Sequence, residues 1–438
     1  MTSKWPEVSL ADIYDIRSGL SKPASAFGSG YPFLSFKEVF GNYFVPDELM
    51  QLVESSDKER ANGSIKRGDV FLTRTSETMH ELGMSSVALK DYENATFNGF
   101  TKRLRPKEGT PYEVHPEFVG YYFRSPRFRT NMLAFSTLST RASLNNDMIS
   151  RLTLPLPSFN IQMKMAKILK CLDDKISLNT ETNQTLEKMA QAIFKSWFVD
   201  FDPVKAKMNG EQPEGMDAAT ASLFPEKFVE SEKGLIPDGW KIAQVKELCK
   251  LVQNGGTPKR KESDYWIDGT INWFTTSELS DSPLIESKEK ISELGLAKSS
   301  VKMWPKGTVL IAIYAAPTVG RLGILSQEAG SNQACTGLIP KTNEVGHYLF
   351  NSLYFARGWL NNISVGAAQQ NISKGIVESL EIVIPSDELI ESFGCHVETL
   401  WQKRLQLQKE SQCLANLRDI LLPKLLSGEI DLETTIEN

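Results

Sequence analysis

Between residues 161 and 197 the apolar positions mostly recur at spacings of three and four: Ile161, Met165, Ile168, Leu172 and Ile176, then Leu186, Ala190, Ile193 and Trp197. The same texture returns at Leu389, Phe393, Val397, Leu400, Leu407, Leu414, Leu421 and Leu425. This period predicts two long helices with a heptad-like seam. Forty helical residues extend about 60 Å at 1.5 Å per residue. Polar residues interrupt the seams at Asn179 and Asn183 in one stretch and at Arg404 and Ser411 in the other. Each helix can pack on its own domain, or the two can pair antiparallel. Similar seams with offset polar residues, which fix register in coiled coils, favour pairing. The seam is expected at Ile168, Leu172, Ile176, Leu186, Ile193, Val397, Leu400, Leu407, Leu414 and Leu421.

The two stretches are copies. Residues 141–198 recur at 369–426 without a gap, a constant offset of 228 positions. The pairs Leu144/Ile372, Ile149/Val377, Leu152/Leu380, Leu154/Ile382, Pro157/Pro385, Leu186/Leu414 and Met189/Leu417 carry it. A period this long is a domain duplication and not a solenoid. Just ahead of the helices, RLTLPLP (151–157) and SLEIVIP (379–385) read as closing strands.

The fronts of the copies match less faithfully. Trp5 and Trp240 open them, Pro23 and Pro258 keep that spacing, and KRGDVFLTRT (66–75) faces PKGTVLIAIY (305–314). Asn98 and Asn332 precede Pro106 and Pro340 at one shared spacing of 8. Short strands, Gly/Pro turns and helices near 117–125 and 347–356 make each front an α+β domain. The expected plan is a front domain at 1–158, a helix at 159–199, a linker at 200–237, a second front domain at 238–386, a helix at 387–427 and a tail at 428–438. The linker is rich in Pro, Gly and acids, with LFPEKF as a local docking point.

Composition narrows the class. The 438 residues are 41% hydrophobic and 24% charged, ordinary values for a soluble globular chain. No apolar run approaches the roughly 18–20 residues of a membrane span, so no membrane association is expected. The opening MTSKWPEV lacks an apolar signal region, which predicts a cytoplasmic protein. Five cysteines form no CxxC pair. The net charge of −5 requires any basic surface to be local.

Catalytic constellations are missing. There is no phosphate-binding GxxxxGK[ST] loop, no GxGxxG turn and no Asx-Pro-Pro-aromatic run. The four histidines have no metal-ligand spacing. Glu286-Ser287-Lys288 has a nuclease-like look but lacks a placed partner aspartate. A non-catalytic chain with no cofactor or metal of its own is expected.

Cationic and amide side chains on turns remain. In the first copy these are Lys22, Lys37, Arg74, Lys102, Arg103, Arg105 and Arg141. In the second they are Lys259, Arg260, Lys261, Arg321, Gln369, Gln370 and Lys374. Arg and Lys suit guanine edges and phosphates, and Gln suits adenine edges. Tyr265, Trp266, Trp273 and Tyr314 either pack against sugars or fill the core. A surface Lys or Arg is ordinarily solvated and idle, so only the duplication and the lack of other chemistry single this group out as DNA-binding.

Taken in order, WPEVSLADI, GWKIAQVKEL, NGGTPKR (254–260), the two closing strands, SWFVDFDPV (196–204), LFPEKFVESEKGLIPDGW (223–240) and LLPKLLSGEIDL resemble the DNA-specificity subunit of type I restriction–modification systems. The resemblance spans essentially the whole chain. It implies two tandem α/β target-recognition domains, each followed by a long helix, the helices pairing as an antiparallel coiled coil. It also implies an asymmetric bipartite site on double-stranded DNA, two docked methyltransferase subunits, and motor-nuclease subunits for cleavage. Those partners would bring S-adenosylmethionine, ATP and Mg. Where the second copy reads GGTPK, the first reads GLSKP. The competing readings are a coiled-coil scaffold that binds no DNA and a fused methyltransferase or nuclease.

Overall fold

The computed structural model describes residues 4–76, 81–135, 142–314, 318–365 and 371–432. The chain forms two compact units, Met1–Ser177 with Gln412–Asn438, and Leu178–Ser411. The cut runs through the long helices Phe159–Phe198 and Asp387–Ser427 and not at the linker.

The first unit contains strands β1 (Glu7–Ser9), β2 (Tyr14–Ser18), β3 (Phe27–Leu34), β4 (Leu52–Val53), β5 (Val70–Thr73), β6 (Ser85–Val87), β7 (Thr96–Phe97), β8 (Thr101–Pro106) and β9 (Thr153–Pro155). They form a sheet of order β2-β8-β5-β6, a smaller one of order β4-β3-β7, and the pair β1-β9. The second unit contains β10 (Lys241–Gln244), β11 (Cys249–Asn254), β12 (Ile271–Phe274), β13 (Ser282–Leu284), β14 (Glu289–Ile291), β15 (Val309–Ala312), β16 (Leu322–Leu325), β17 (Gly330–Ser331), β18 (Cys335–Pro340) and β19 (Glu381–Ile384). Their orders are β11-β18-β15-β16-β13, β14-β12-β17 and β10-β19, the same plan with β13 added at one edge.

The registers agree as well as the orders. Val70 pairs with Leu104 as Val309 pairs with Leu338. The parallel rung Leu34–Phe97 matches Phe274–Ser331, and Val8–Leu154 matches Ala243–Ile382. The expected closing strands therefore pair with the opening strand of their own copy. The central strands Val70–Thr73 and Val309–Ala312 are buried on both faces. That burial explains their continuous apolar runs in place of alternation. The expected front helices are Pro116–Arg124 and the longer Asn343–Val365.

Antiparallel helix packing is present inside each unit. In the first, Ile161, Met165, Ala166 and Leu169 share a core with Leu422, Leu425 and Leu426. Asp173 accepts from Arg418 at 2.7 Å and from the Tyr121 hydroxyl at 2.6 Å, and Arg418 lies over Tyr43. In the second, Phe194, Trp197 and Phe198 pack with Leu389, Phe393, Val397 and Trp401. Farther along, Glu187 pairs with Arg404 at 3.1 Å and Asn179 donates to Glu410 at 2.9 Å. One number rises as the other falls, so the paired helices run in opposite directions.

The seam differs from the expected one in detail. Val397 and Leu407 are buried. Leu172, Ile176, Leu186, Ile193, Leu400, Leu414 and Leu421 are half-buried. Ile168, however, is 37% exposed, and Leu169 takes the buried place. A straight helix drifts about 20° per heptad, so a residue seven positions beyond Ile161 falls to the edge of the face centred on Met165 and Leu169. The linker is also more structured than its composition suggests. It forms helices Asp202–Met208 and Ala218–Ser222 and a hairpin of Phe228–Ser231 with Gly234–Pro237. Val204 and Phe224 are buried in the second unit's core. Among the described residues no helix is long and apolar enough to cross a membrane.

Candidate nucleic-acid interface

One turn is built identically in both units. Asn98 Oδ1 accepts the Phe100 N–H at 2.7 Å, and Asn332 Oδ1 accepts the Ala334 N–H at 3.1 Å. Such Asx turns form because the short amide replaces a backbone acceptor two residues on. The neighbouring ladder is shared too. Arg74 N–H donates to Phe100 O and Leu144 N–H to Arg74 O, as Ile313 N–H donates to Ala334 O and Ile372 N–H to Ile313 O. Arg74 and Ile313 thus occupy one place in the frame, and so do Phe100 and Ala334.

The side chains on that frame diverge. Lys102, on the rung opposite Ser18, is only 7% exposed. Its Nζ donates to Ser18 Oγ at 2.8 Å and to Asn146 Oδ1 at 2.7 Å. Burial holds its pKa below the lysine range, and the charge of Arg74 adds to the effect. The corresponding rung of the second unit is Thr336 opposite Asn254, joined by a neutral 2.8 Å hydrogen bond. Beside these rungs, Phe100 and Tyr314 are exposed at 58% and 38%.

Of two further predicted contact residues one is buried and the other half-buried. Arg103 is 2% exposed and donates to the Ser64 carbonyl at 2.5 Å, while burial lowers its pKa to about 10. Arg105 is bidentate to the buried Asp69 at 2.7 and 2.6 Å and also binds Ser64. Both are tied within their own domain, so neither is a free DNA contact. The run KRLRP signals cations without revealing that β8 is a central strand. Lys22 pairs with Glu59 at 2.8 Å, and Lys37 is exposed at the start of helix Phe36–Gly41. Arg141 lies outside the described residues.

In the second unit Lys259 and Lys261 are exposed on one loop. Arg260 between them is held by Glu289 at 2.5 and 2.9 Å and lies 4.0 Å over Trp266. That pairing holds the Glu289 carboxyl below its ordinary value and Arg260 above its own. Trp273 is fully buried, donating to Gly256 O at 2.9 Å, so it is a core residue and not a sugar platform. Tyr265 and Trp266 are half-buried beneath the loop. Arg321 is half-buried and Lys374 pairs with Glu378 at 3.0 Å. Gln369 and Gln370 lie outside the described residues. Ser18, Asn146, Asn254 and Thr336 were not singled out by sequence. The shared Asn98/Asn332 spacing is the signal that leads to them.

Glu286 pairs with Lys290 and Ser287 bonds Asn272, so the nuclease-like tripeptide serves local structure. Among the described residues no group of three His, Cys, Asp or Glu is placed to hold a metal.

The chain is similar to known proteins over most of its length. The family model of the type I restriction modification DNA specificity domain matches residues 2–188 and 237–390. The chain is 29% identical over 475 residues to the type I restriction enzyme HindI specificity subunit of Haemophilus influenzae, covering 98% of this chain and all of that one. It is 24% identical to the MjaIX specificity subunit of Methanocaldococcus jannaschii, covering 98% and 94%. The crystal structure of the type I S subunit from M. genitalium shares the fold at a TM-score of 0.56 and 14% identity, covering 97% and 99%. With a repeated domain, paired helices and a family match over most of its length, the chain belongs to the DNA-specificity family of type I restriction–modification systems.

Proposed function

We propose that the chain reads an asymmetric bipartite site on double-stranded DNA, one half with each unit. The observation that carries this reading is one backbone frame with different chemistry on it. Arg74, Phe100 and Lys102 stand where the other unit has Ile313, Ala334 and Thr336. A shared frame presents side chains to the same groove geometry, and different side chains there make different contacts with base edges or phosphates in the two halves.

The helices serve assembly in this reading. Met189 and Leu417, equivalent at offset 228, are both exposed, at 47% and 42%. Matching apolar positions on repeated helices suit two copies of one methyltransferase subunit, with motor-nuclease subunits added for cleavage. S-adenosylmethionine, ATP and Mg would be bound by those partners, and this chain would contribute recognition without catalysis. The test is a salt titration of duplex binding by the chain with its methyltransferase. Phosphate contacts give a steep fall in log K with log salt, whereas a scaffold that does not touch DNA gives no binding.

A further inference from the structure

Lys102 is a buried ammonium with no carboxylate bonded to it among the described residues. An ammonium carries three donors, and two of them meet neutral oxygens of Ser18 and Asn146. No described carboxylate bonds it, and the charge that acts on it most is another cation, Arg74. Arg74 makes no side-chain hydrogen bond or ion pair with the described residues, and its Nε is buried without a partner. Elsewhere in the same unit Arg105 and Arg418 are neutralised by Asp69 and Asp173, while Arg103 and Arg124 spread their donors over backbone carbonyls; Lys102 has neither kind of partner, only the side-chain oxygens of Ser18 and Asn146. Burying a charge without a counter-charge is costly, so a pair of like charges left open is a site awaiting an anion.

We propose that Arg74 and Lys102 form a seat for one backbone phosphate of the half-site read by the first unit, and that the second unit has no such seat. The inference rests on the DNA-binding reading above. A guanine edge offers acceptors but no net charge, and would leave both cations uncompensated. A backbone phosphodiester supplies one negative charge and two non-bridging acceptor oxygens. The second unit has Ile313 and the Thr336–Asn254 bond at this place, and there the exposed Lys259 and Lys261 stand on a different loop. Phosphate anchoring is therefore unequal between two domains of one plan.

The test measures duplex binding against salt and thermal melting for the full chain with its methyltransferase partner. The variants are Lys102→Met, Arg74→Gln and, as control, Thr336→Ala. Each charge-removing variant should reduce the magnitude of the salt slope by about 0.9, the value of one phosphate, equally for all sequences. Lys102→Met should also raise the melting temperature by about 2–4 °C, because an uncompensated charge leaves the interior. Thr336→Ala should leave the slope unchanged. An unchanged slope in Lys102→Met and Arg74→Gln would overturn the seat, as would a lowered melting temperature in Lys102→Met, which marks a structural lysine. An intact slope with altered preference at one base pair would overturn it in favour of a guanine contact. Absence of DNA binding by the unmutated complex would instead remove the functional reading beneath it.

Discussion

Lys102 and Thr336 occupy the same rung of two sheets with one topology, Lys102 opposite Ser18 and Thr336 opposite Asn254. The first buries an ammonium, and the second closes a neutral hydrogen bond. The duplication keeps topology and register while exchanging charge at this rung and at the neighbouring Arg74/Ile313 place.

That exchange has a pH signature. Burial lowers the pKa of Lys102, so between its folded value and the ordinary lysine value of about 10.4 the unfolded chain binds more protons. Stability contributed by this site therefore rises with pH through that alkaline window, while its contribution to DNA binding falls. Comparing wild type with Lys102→Met by urea melts and duplex binding across the window isolates the effect. Identical pH profiles for the two proteins would contradict it.

The matched turns predict equal costs and separate consequences. Asn98→Ala and Asn332→Ala each remove one acceptor from a backbone N–H, costing about 1 kcal/mol in chemical denaturation. The first should weaken discrimination only in the first unit's half-site, and the second only in the other. Binding assays with duplexes altered in one half at a time check this.

The pair Glu187–Arg404 sets register more than it adds stability. Burial pushes Glu187 up and Arg404 down, and mutual attraction offsets this incompletely in both. Arg404→Met alone should destabilise by about 3 kcal/mol, since it leaves Glu187 partly buried without its cation. Adding Glu187→Leu should recover most of the loss. A double-mutant cycle from denaturant melts measures the coupling, and additive losses would contradict the account.

Helix length should translate into spacer length. A four-residue insertion between Asp173 and Asn179, matched by one between Glu410 and Arg418, keeps both polar pairs and adds about 6 Å of helix. The non-specific spacer of the methylated motif should lengthen with both halves unchanged. A changed half-site would refute this.

Much of this plan was legible because packing imposes periodicity. Offset 228 preserved the phase of the closing strands and helices, where side chains must meet the same neighbours. Heptad counting failed at Ile168, where drift of a straight helix favours Leu169. Arg103 and Arg105 misled because a cation in a central strand looks like a surface cation until Asp69 and Ser64, about 40 residues away in sequence, are brought beside it. The charge of Lys102 and Arg74 is plain in the sequence. That no described carboxylate bonds them is visible only once Ser18, Asn146 and Phe100 are assembled around them.

The central claim, one frame read in two ways, is tested most directly by the methylated motif in genomic DNA from cells carrying this chain with its methyltransferase. The account predicts a motif of two different half-sites across a fixed spacer, with the bases of both halves unchanged by Lys102→Met and only the extent of methylation reduced. A single continuous motif, or a symmetric one with identical halves, would contradict it.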